Sequence, residues 1–163
     1  MNKKRRQTAC FTGHRQMRAP AEEVERGVIK VVEELIQKGY LYFGAGGARG
    51  FDALASEAVL RLKKKYPQIH LILVLPFDCQ FKHERNWEQA EIAQYHRLKT
   101  QASKVVVLAP EYSPGIYYRR NRHLVDNSSI CIAYMDRENS GTSYTVHYAA
   151  EKGLPVINIA GIL

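Results

Sequence analysis

Short apolar runs alternate with segments whose apolar residues recur every three or four positions, and this alternation continues along the whole chain. The apolar runs predict six strands, at 8–12, 40–43, 69–75, 104–109, 130–134 and 155–159. Runs that are apolar on both faces are typical of parallel strands covered by helices. The pattern therefore predicts an α/β fold, a doubly wound and mainly parallel sheet with helices on both faces, in one domain spanning residues 1–163.

Helical spacing predicts a helix between each pair of consecutive strands. Pro20 and Gly39 mark the two ends of the first helix, because proline suits a first turn and glycine a C-terminal cap. The predicted helices are 18–39, a segment from the glycine-rich turn to about Lys65, a segment carrying Trp87, Ala90, Ile92 and Tyr95, then 119–125 and 140–153.

The stretch Gly44–Asp52 contains four glycines and lies between the second predicted strand and the following helix. At such a junction, free backbone N–H groups and the positive end of the helix dipole favour an anion. Glycine lets the backbone approach a ligand closely, and Arg49 adds a positive charge. The alternative is a tight strand-to-helix turn with no ligand, because the spacing matches neither common glycine fingerprint for nucleotides.

Other loops are expected at the same edge of the sheet. Right-handed crossovers place the loops that follow parallel strands at one edge, which is where ligands bind in such folds. Residues 13–15, 119–122 and 140–142 fall there, and no catalytic residue is assigned among them. The candidate ligand- and phosphate-binding residues are Gly13, His14, Arg15, Gly46, Gly47, Ala48, Arg49, Gly50, Asp52, Arg120, Asn121, Arg122, Ser140, Gly141 and Thr142.

Several polar candidates have two interpretations. Thr142 either caps its helix or binds a phosphate, and Asp52 either stabilises the helix dipole or contacts a ribose hydroxyl. Arg120 and Arg122 are two positions apart on a helix and point in different directions, so only one can reach a small ligand. His14 is expected to be a hydrogen-bonding loop residue rather than a general base.

The tyrosines near the fourth strand also have two interpretations. Tyr112, Tyr117 and Tyr118 lie beside several arginines. Exposed aromatic rings beside cations stack on bases in proteins that bind single-stranded nucleic acid. The alternative is that these rings pack their loop against the sheet.

The chain is basic, with a formal net charge of +8 among its 163 residues. A basic balance favours phosphate-bearing partners, although the arm at residues 1–6 and the run at 63–65 are expected to be solvated. No apolar run is long enough to cross a bilayer, and the basic N-terminal segment lacks the apolar core of a secretion signal. We therefore expect a cytoplasmic protein with no membrane partner.

The three cysteines, Cys10, Cys79 and Cys131, form no C-x-x-C pair, and their odd number argues against a disulfide framework. Cys10 and Cys131 fall within predicted strands and are expected to be small buried hydrophobes. No His/Cys cluster has the spacing of zinc ligands, so no metal site is expected.

Three segments resemble a known family, in the same order and at similar spacing. The segment 46–52, Gly-Gly-Ala-Arg-Gly-Phe-Asp, resembles the Gly-x-Ala-Arg-Gly-Ile-Asp signature of the DNA-processing protein DprA (Smf). The segment 119–125 resembles its Arg-Asn-Arg-x-Ile helix, and Ser140-Gly141-Thr142 is similar to its Ser-Gly-Ser/Thr segment. The opening Thr12-Gly13-His14-Arg15 is closer to the YpsA-like branch of the same SLOG superfamily, which also includes the LOG phosphoribohydrolases.

The resemblance implies a Rossmann-like fold with a pocket for a nucleotide-type ligand, such as a nucleotide or an ADP-ribose- or NAD-like molecule. LOG enzymes carry a pattern similar to Gly-Gly-x-Gly-Thr-x-x-Glu, and its Glu takes part in cleaving the N-glycosidic bond. In this sequence Thr145 stands at the position of that Glu. Three functions follow: a nucleotide-binding sensor module, a DprA-like single-strand binder, and a nucleotide N-glycosidase. The expected partner is a phosphate-bearing small molecule, with single-stranded nucleic acid and a homodimer left open.

Overall fold

Six parallel strands form one sheet in the order β4-β3-β2-β1-β5-β6, in a computed structural model that describes all residues from 1 to 163. Every neighbouring pair is parallel, which confirms the predicted doubly wound α/β architecture. The strands are β1 Thr8–Gly13, β2 Tyr42–Ala45, β3 His70–Leu75, β4 Lys104–Val107, β5 Ile130–Tyr134 and β6 Val156–Asn158.

Helices cover both faces of the sheet, and the two faces bury unequal cores. The helices are α1 Lys3–Arg6, α2 Ala21–Gln37, α3 Phe51–Lys63, α4 Gln89–Gln101, α5 Ile116–Asp126 and α6 Gly141–Glu151, with short 3-10 turns at Gln80–Lys82 and Ile159–Gly161. A cluster of 26 buried residues includes side chains of α2, α3 and α4, whereas a cluster of seven lies beneath α5 and α6. All three cysteines are free, and Cys10 and Cys131 are buried side by side on β1 and β5.

Several predicted boundaries are wrong by two or more residues. β2 begins at Tyr42 because Tyr40 is still bonded to the carbonyl of Leu35 at the end of α2, and it continues through Ala45. Trp87 lies before α4 and packs on Phe81 rather than on a helical stripe. The basic arm forms the short helix α1, none of whose residues is buried, in line with the expectation that its charges are solvated.

The strand order reverses beside β1, which lies between β2 and β5. Helix α2 connects β1 to β2 on one face of the sheet, and α5 connects β4 to β5 on the other face. Ligands in open α/β sheets bind in the crevice at such a switch point, outside the carboxyl ends of the strands. The fold therefore places the loops after β1, β2 and β5 around one crevice.

Candidate functional site

A cavity of about 480 Å³ opens at this switch point. Its volume lies within the range of roughly 300–1,000 Å³ found for small-molecule sites. Four of its seventeen lining residues are hydrophobic, and four are arginines. It is lined by Phe11, Thr12, Gly13, His14, Arg15, Gln16, Ala48, Arg49, Asp52, Tyr117, Tyr118, Arg120, Asn121, Arg137, Ser140, Gly141 and Thr142.

His14 is a buried hydrogen-bonding residue of the wall. Its Nε2 accepts a 3.2 Å hydrogen bond from the backbone N–H of Asp136, and only 4% of the residue is exposed. Burial lowers the pKa of His14, and the nearby charge of Arg137 lowers it further. The ring is therefore neutral near pH 7, and because Nε2 accepts, the proton lies on Nδ1. Nδ1 has no partner within the protein and can donate to a ligand.

The glycine-rich turn is closed by a carboxylate of the protein itself. The backbone N–H of Gly46 donates to Oδ2 of Asp52 across 3.2 Å. The prediction of a free amide at this turn is therefore wrong for Gly46, because Asp52 occupies the place of an external anion. Asp52 lines the cavity from this position, and burial raises the pKa of its carboxyl.

Three glycines of the turn lie outside the cavity wall, and close packing explains them. A Cβ at Gly46 would clash with the guanidinium of Arg120, and one at Gly50 would clash with the carbonyl group of Arg15. Gly50 also has φ of 81°, a conformation that favours glycine. Gly47 lies against Leu75 and Gln80. The expectation that Gly46, Gly47 and Gly50 face the ligand is corrected accordingly.

Arg120 and Arg122 point in different directions, which confirms that prediction. Arg120 is 5% exposed, and its Nη1 donates to the carbonyl of Gly46 while Nε donates across 2.7 Å to Oδ1 of Asn121. Its Nη2 has no partner within the protein and belongs to the cavity wall. Arg122 instead donates across 2.9 Å to the hydroxyl of Tyr144, and the structure places it outside the cavity.

Burial affects the charge of Arg120 as well as its position. It lowers the pKa of the guanidinium, while the negative charge of Asp52 opposes that change. The two groups are not in direct ionic contact, since Asp52 bonds to the backbone N–H of Gly46. Arginine nevertheless keeps its charge in proteins. The cavity floor thus holds a fixed cation whose attraction for an anion is little screened by water.

The other three cavity arginines are paired at its edge. Arg15 contacts Glu84 at 2.8 Å, and Arg137 contacts Asp136 at 2.7 Å and the carbonyl of Gln16 at 3.0 Å. Arg49 donates to the carbonyl of Asn86. Sequence analysis missed Arg137, although its position directly after the fifth strand places it at the same edge as the other candidates.

The N-terminus of α6 forms one wall. Ser140 caps the helix by accepting a 3.0 Å hydrogen bond from the N–H of Ser143, so Ser140 rather than Thr142 is the cap. The backbone N–H groups of Gly141 and Thr142 have no acceptor within the protein. Thr145 is buried and bonds back to the carbonyl of Gly141, so no carboxylate stands at this position of α6.

The three candidate tyrosines have different environments. Tyr112 stacks on His83 at 3.7 Å and lies outside the cavity. Tyr117 packs against Phe77, lies under the guanidinium of Arg120, and has a buried hydroxyl without a partner. Tyr118 lines the cavity and is 45% exposed. Packing therefore explains Tyr112 and much of Tyr117, but not Tyr118.

The structure contains neither a membrane-spanning helix nor a cluster of metal ligands. None of the helices combines the length and the apolar character needed to span a bilayer. No group of three or more His, Cys, Asp or Glu side chains is arranged to hold a metal ion.

The chain matches a protein-family model and a curated relative. The family model YpsA, described as the YspA SLOG family, matches residues 11–154. The SPbeta prophage-derived protein YoqJ of Bacillus subtilis strain 168 is 32% identical over 135 residues, which cover 75% of this chain and 77% of YoqJ. The family match extends from within β1 to just beyond α6, so it includes the segments that line the cavity.

Solved structures of DNA processing protein A (DprA) share the fold. The protein from Streptococcus pneumoniae has a TM-score of 0.63 and 19% identity, and the match covers 94% of this chain but 50% of that one. The protein from Helicobacter pylori, described as having a unique single-stranded DNA binding mode, has a TM-score of 0.63 and 19% identity. That match covers 91% of this chain and 63% of the H. pylori chain.

Proposed function

The chain belongs to the YpsA SLOG family, and on that premise we propose that it is a binding module for a nucleotide or a nucleotide-derived ligand. The ligand lies in the switch-point cavity, with its phosphate near the N-terminus of α6. The observation that carries this proposal is the concentration of positive groups in a cavity of about 480 Å³. Four arginines line it and Asp52 is the one carboxylate among the lining residues, while Glu84 and Asp136 pair with two of the arginines at the edge.

The available donors suit a phosphate. The N–H groups of Gly141 and Thr142 are free at the positive end of the α6 dipole. Nη2 of Arg120 and Nδ1 of His14 have no partner within the protein and add two side-chain donors from residues that line the cavity. Hydrogen bonds from charged or dipole-supported donors to phosphate are among the stronger ones in proteins. In this proposal the phosphate is bound by Arg120, His14 and the N-terminus of α6 rather than by the glycine turn.

Calorimetric titration with nucleoside monophosphates, NAD and ADP-ribose tests the proposal. We expect saturable binding of at least one of these compounds to the wild-type protein. Arg137→Ala removes one wall cation and should weaken that binding about tenfold or more, because a charge-assisted hydrogen bond is lost.

Arg119→Ala is the matched control. It removes the same charge from an exposed position of α5 outside the cavity and should leave the affinity unchanged. No binding by the wild-type protein, or equal losses in the two variants, would contradict the proposal.

Binding of single-stranded nucleic acid is a second candidate. The net charge of +8 favours it, and Arg119 and Arg122 lie on α5 beside the exposed ring of Tyr118. The similarity to the H. pylori DprA structure supports the same idea at the level of the fold. Nucleic-acid binding releases counterions, so affinity for an oligonucleotide should fall steeply as salt rises.

The two candidates respond differently to substitution. Arg119→Ala should reduce the salt slope of oligonucleotide binding by about one, while leaving mononucleotide binding intact. A flat response to salt removes the nucleic-acid candidate.

A further inference from the structure

Tyr118 is an exposed aromatic ring in a cavity that is also lined by four arginines. It is 45% exposed, whereas Phe11 in the same wall is 1% exposed and the Tyr117 hydroxyl is buried. A half-exposed aromatic ring leaves much apolar surface in contact with water, which a flat ligand would remove.

The ring of Tyr118 is held in place from one side. Tyr144 on α6 packs against it with 4.6 Å between ring centroids and 64° between ring planes. Tyr144 is itself fixed by the 2.9 Å hydrogen bond from Nη1 of Arg122. No second aromatic ring and no cation lies against Tyr118. The ring is therefore pre-positioned by one aromatic partner while 45% of the residue stays exposed.

Asn121 supplies a polar group one helical turn from Tyr118. Its Oδ1 accepts from Nε of Arg120, which assigns the other side-chain atom as the nitrogen. That Nδ2 has no partner within the protein, and Asn121 lines the cavity. An amide N–H beside a stacking surface can donate to a ring nitrogen or an exocyclic oxygen.

We infer that Tyr118, supported by Tyr144, is a stacking platform for the base of a nucleotide, with Asn121 donating to the edge of that base. This inference rests on the proposed function and specifies how the ligand is oriented. The phosphate lies at the N–H groups of Gly141 and Thr142, and the base lies over Tyr118. Stacking on an aromatic ring accepts any base, so the platform selects for a base without choosing which one.

The test compares ligands with and without a base. AMP, GMP and ribose 5-phosphate are titrated by calorimetry into the wild-type protein and into Tyr118→Ala and Tyr118→Phe. Tyr112→Ala is the matched control, because Tyr112 is also exposed but lies outside the cavity. Circular dichroism and thermal unfolding establish that each variant is folded.

We expect the wild-type protein to bind AMP and GMP about tenfold or more tightly than ribose 5-phosphate. Tyr118→Ala should abolish this advantage without changing the affinity for ribose 5-phosphate, whereas Tyr118→Phe and Tyr112→Ala should retain it. Equal affinity of the wild-type protein for all three compounds would overturn the platform. It would also be overturned if Tyr118→Ala kept the preference for AMP and GMP, or lost affinity for all three compounds equally. None of these results contradicts the binding of a phosphate in the cavity. Failure of the wild-type protein to bind any of them overturns both the platform and monophosphate binding in the cavity.

Discussion

Arg15 and Glu84 form an ion pair at the rim of the cavity, with 2.8 Å between Nη2 and Oε1. Glu84 also accepts a 2.8 Å hydrogen bond from the indole of Trp87, and its side chain is only 8% exposed. Arg49 donates to the carbonyl of Asn86 in the same segment. Two cavity arginines therefore hold the segment between β3 and α4, and a phosphate that binds Arg15 must compete with Glu84.

Glu84→Gln removes the competing charge. We expect affinity for an anionic ligand of the cavity to rise about threefold to tenfold, since Arg15 becomes available. Trp87 is the only tryptophan in the chain, so its fluorescence reports on this segment during a titration. Glu138→Gln, which removes an exposed carboxylate paired with His147, is the control. It should change neither the affinity for the ligand nor the fluorescence of Trp87. Unchanged or weaker binding by Glu84→Gln would show that the pair does not restrict the site.

Gly50→Ala tests the close approach of the glycine turn to the loop after β1. The substitution places a Cβ against the carbonyl of Arg15 and strains a positive φ, so we expect a loss of about 3 kcal/mol or more in the free energy of unfolding. Gly153→Ala also strains a positive φ, but it meets nothing within 4 Å, and it should cost about 1–2 kcal/mol. Urea unfolding measures both, and equal losses would contradict the clash at Arg15.

Asp52 should make stability depend on pH. Burial raises the pKa of its carboxyl above the ordinary value of 3.8, with Arg120 and the backbone N–H of Gly46 opposing. The folded chain then binds more protons than the unfolded chain, so stability falls as pH rises from 3.8 through the raised pKa and then levels off. Relative to Asp52→Asn, the wild-type protein should lose free energy of unfolding across that interval. Parallel curves for the two proteins, measured by urea unfolding at several pH values, would contradict the prediction.

His14 should show the opposite dependence. Burial and Arg137 lower its pKa below 6.5, although Asp136 opposes them. The unfolded chain then takes up the proton first, so this contribution to stability is complete above 6.5 and is lost as pH falls towards the lowered pKa. Nitrogen NMR of the ring at neutral pH should show the neutral form with the proton on Nδ1. A spectrum with the proton on Nε2 would exclude the hydrogen bond from Asp136.

The sheet and the place of the site could be predicted because they depend on local patterns. Apolar runs such as Ile130–Tyr134 identify buried strands, and parallel topology then sends the following loops to one edge. The bonding within the glycine turn could not be predicted in this way. It depends on Asp52 turning back from the first turn of α3 to the N–H of Gly46, which is a matter of tertiary geometry. Arg137 was missed because its segment resembles an ordinary polar loop.

Asp52 supplies from within the chain the negative group that a glycine turn of this type usually leaves to its ligand. The junction between β2 and α3 is consequently complete before anything binds. The ligand is then recognised by side chains on separate loops and by the N-terminus of α6. These groups can be substituted without changing the structure of that junction. Substitutions at Tyr118, Asn121 or Arg137 should therefore redirect the protein towards another anionic compound while its scaffold is preserved.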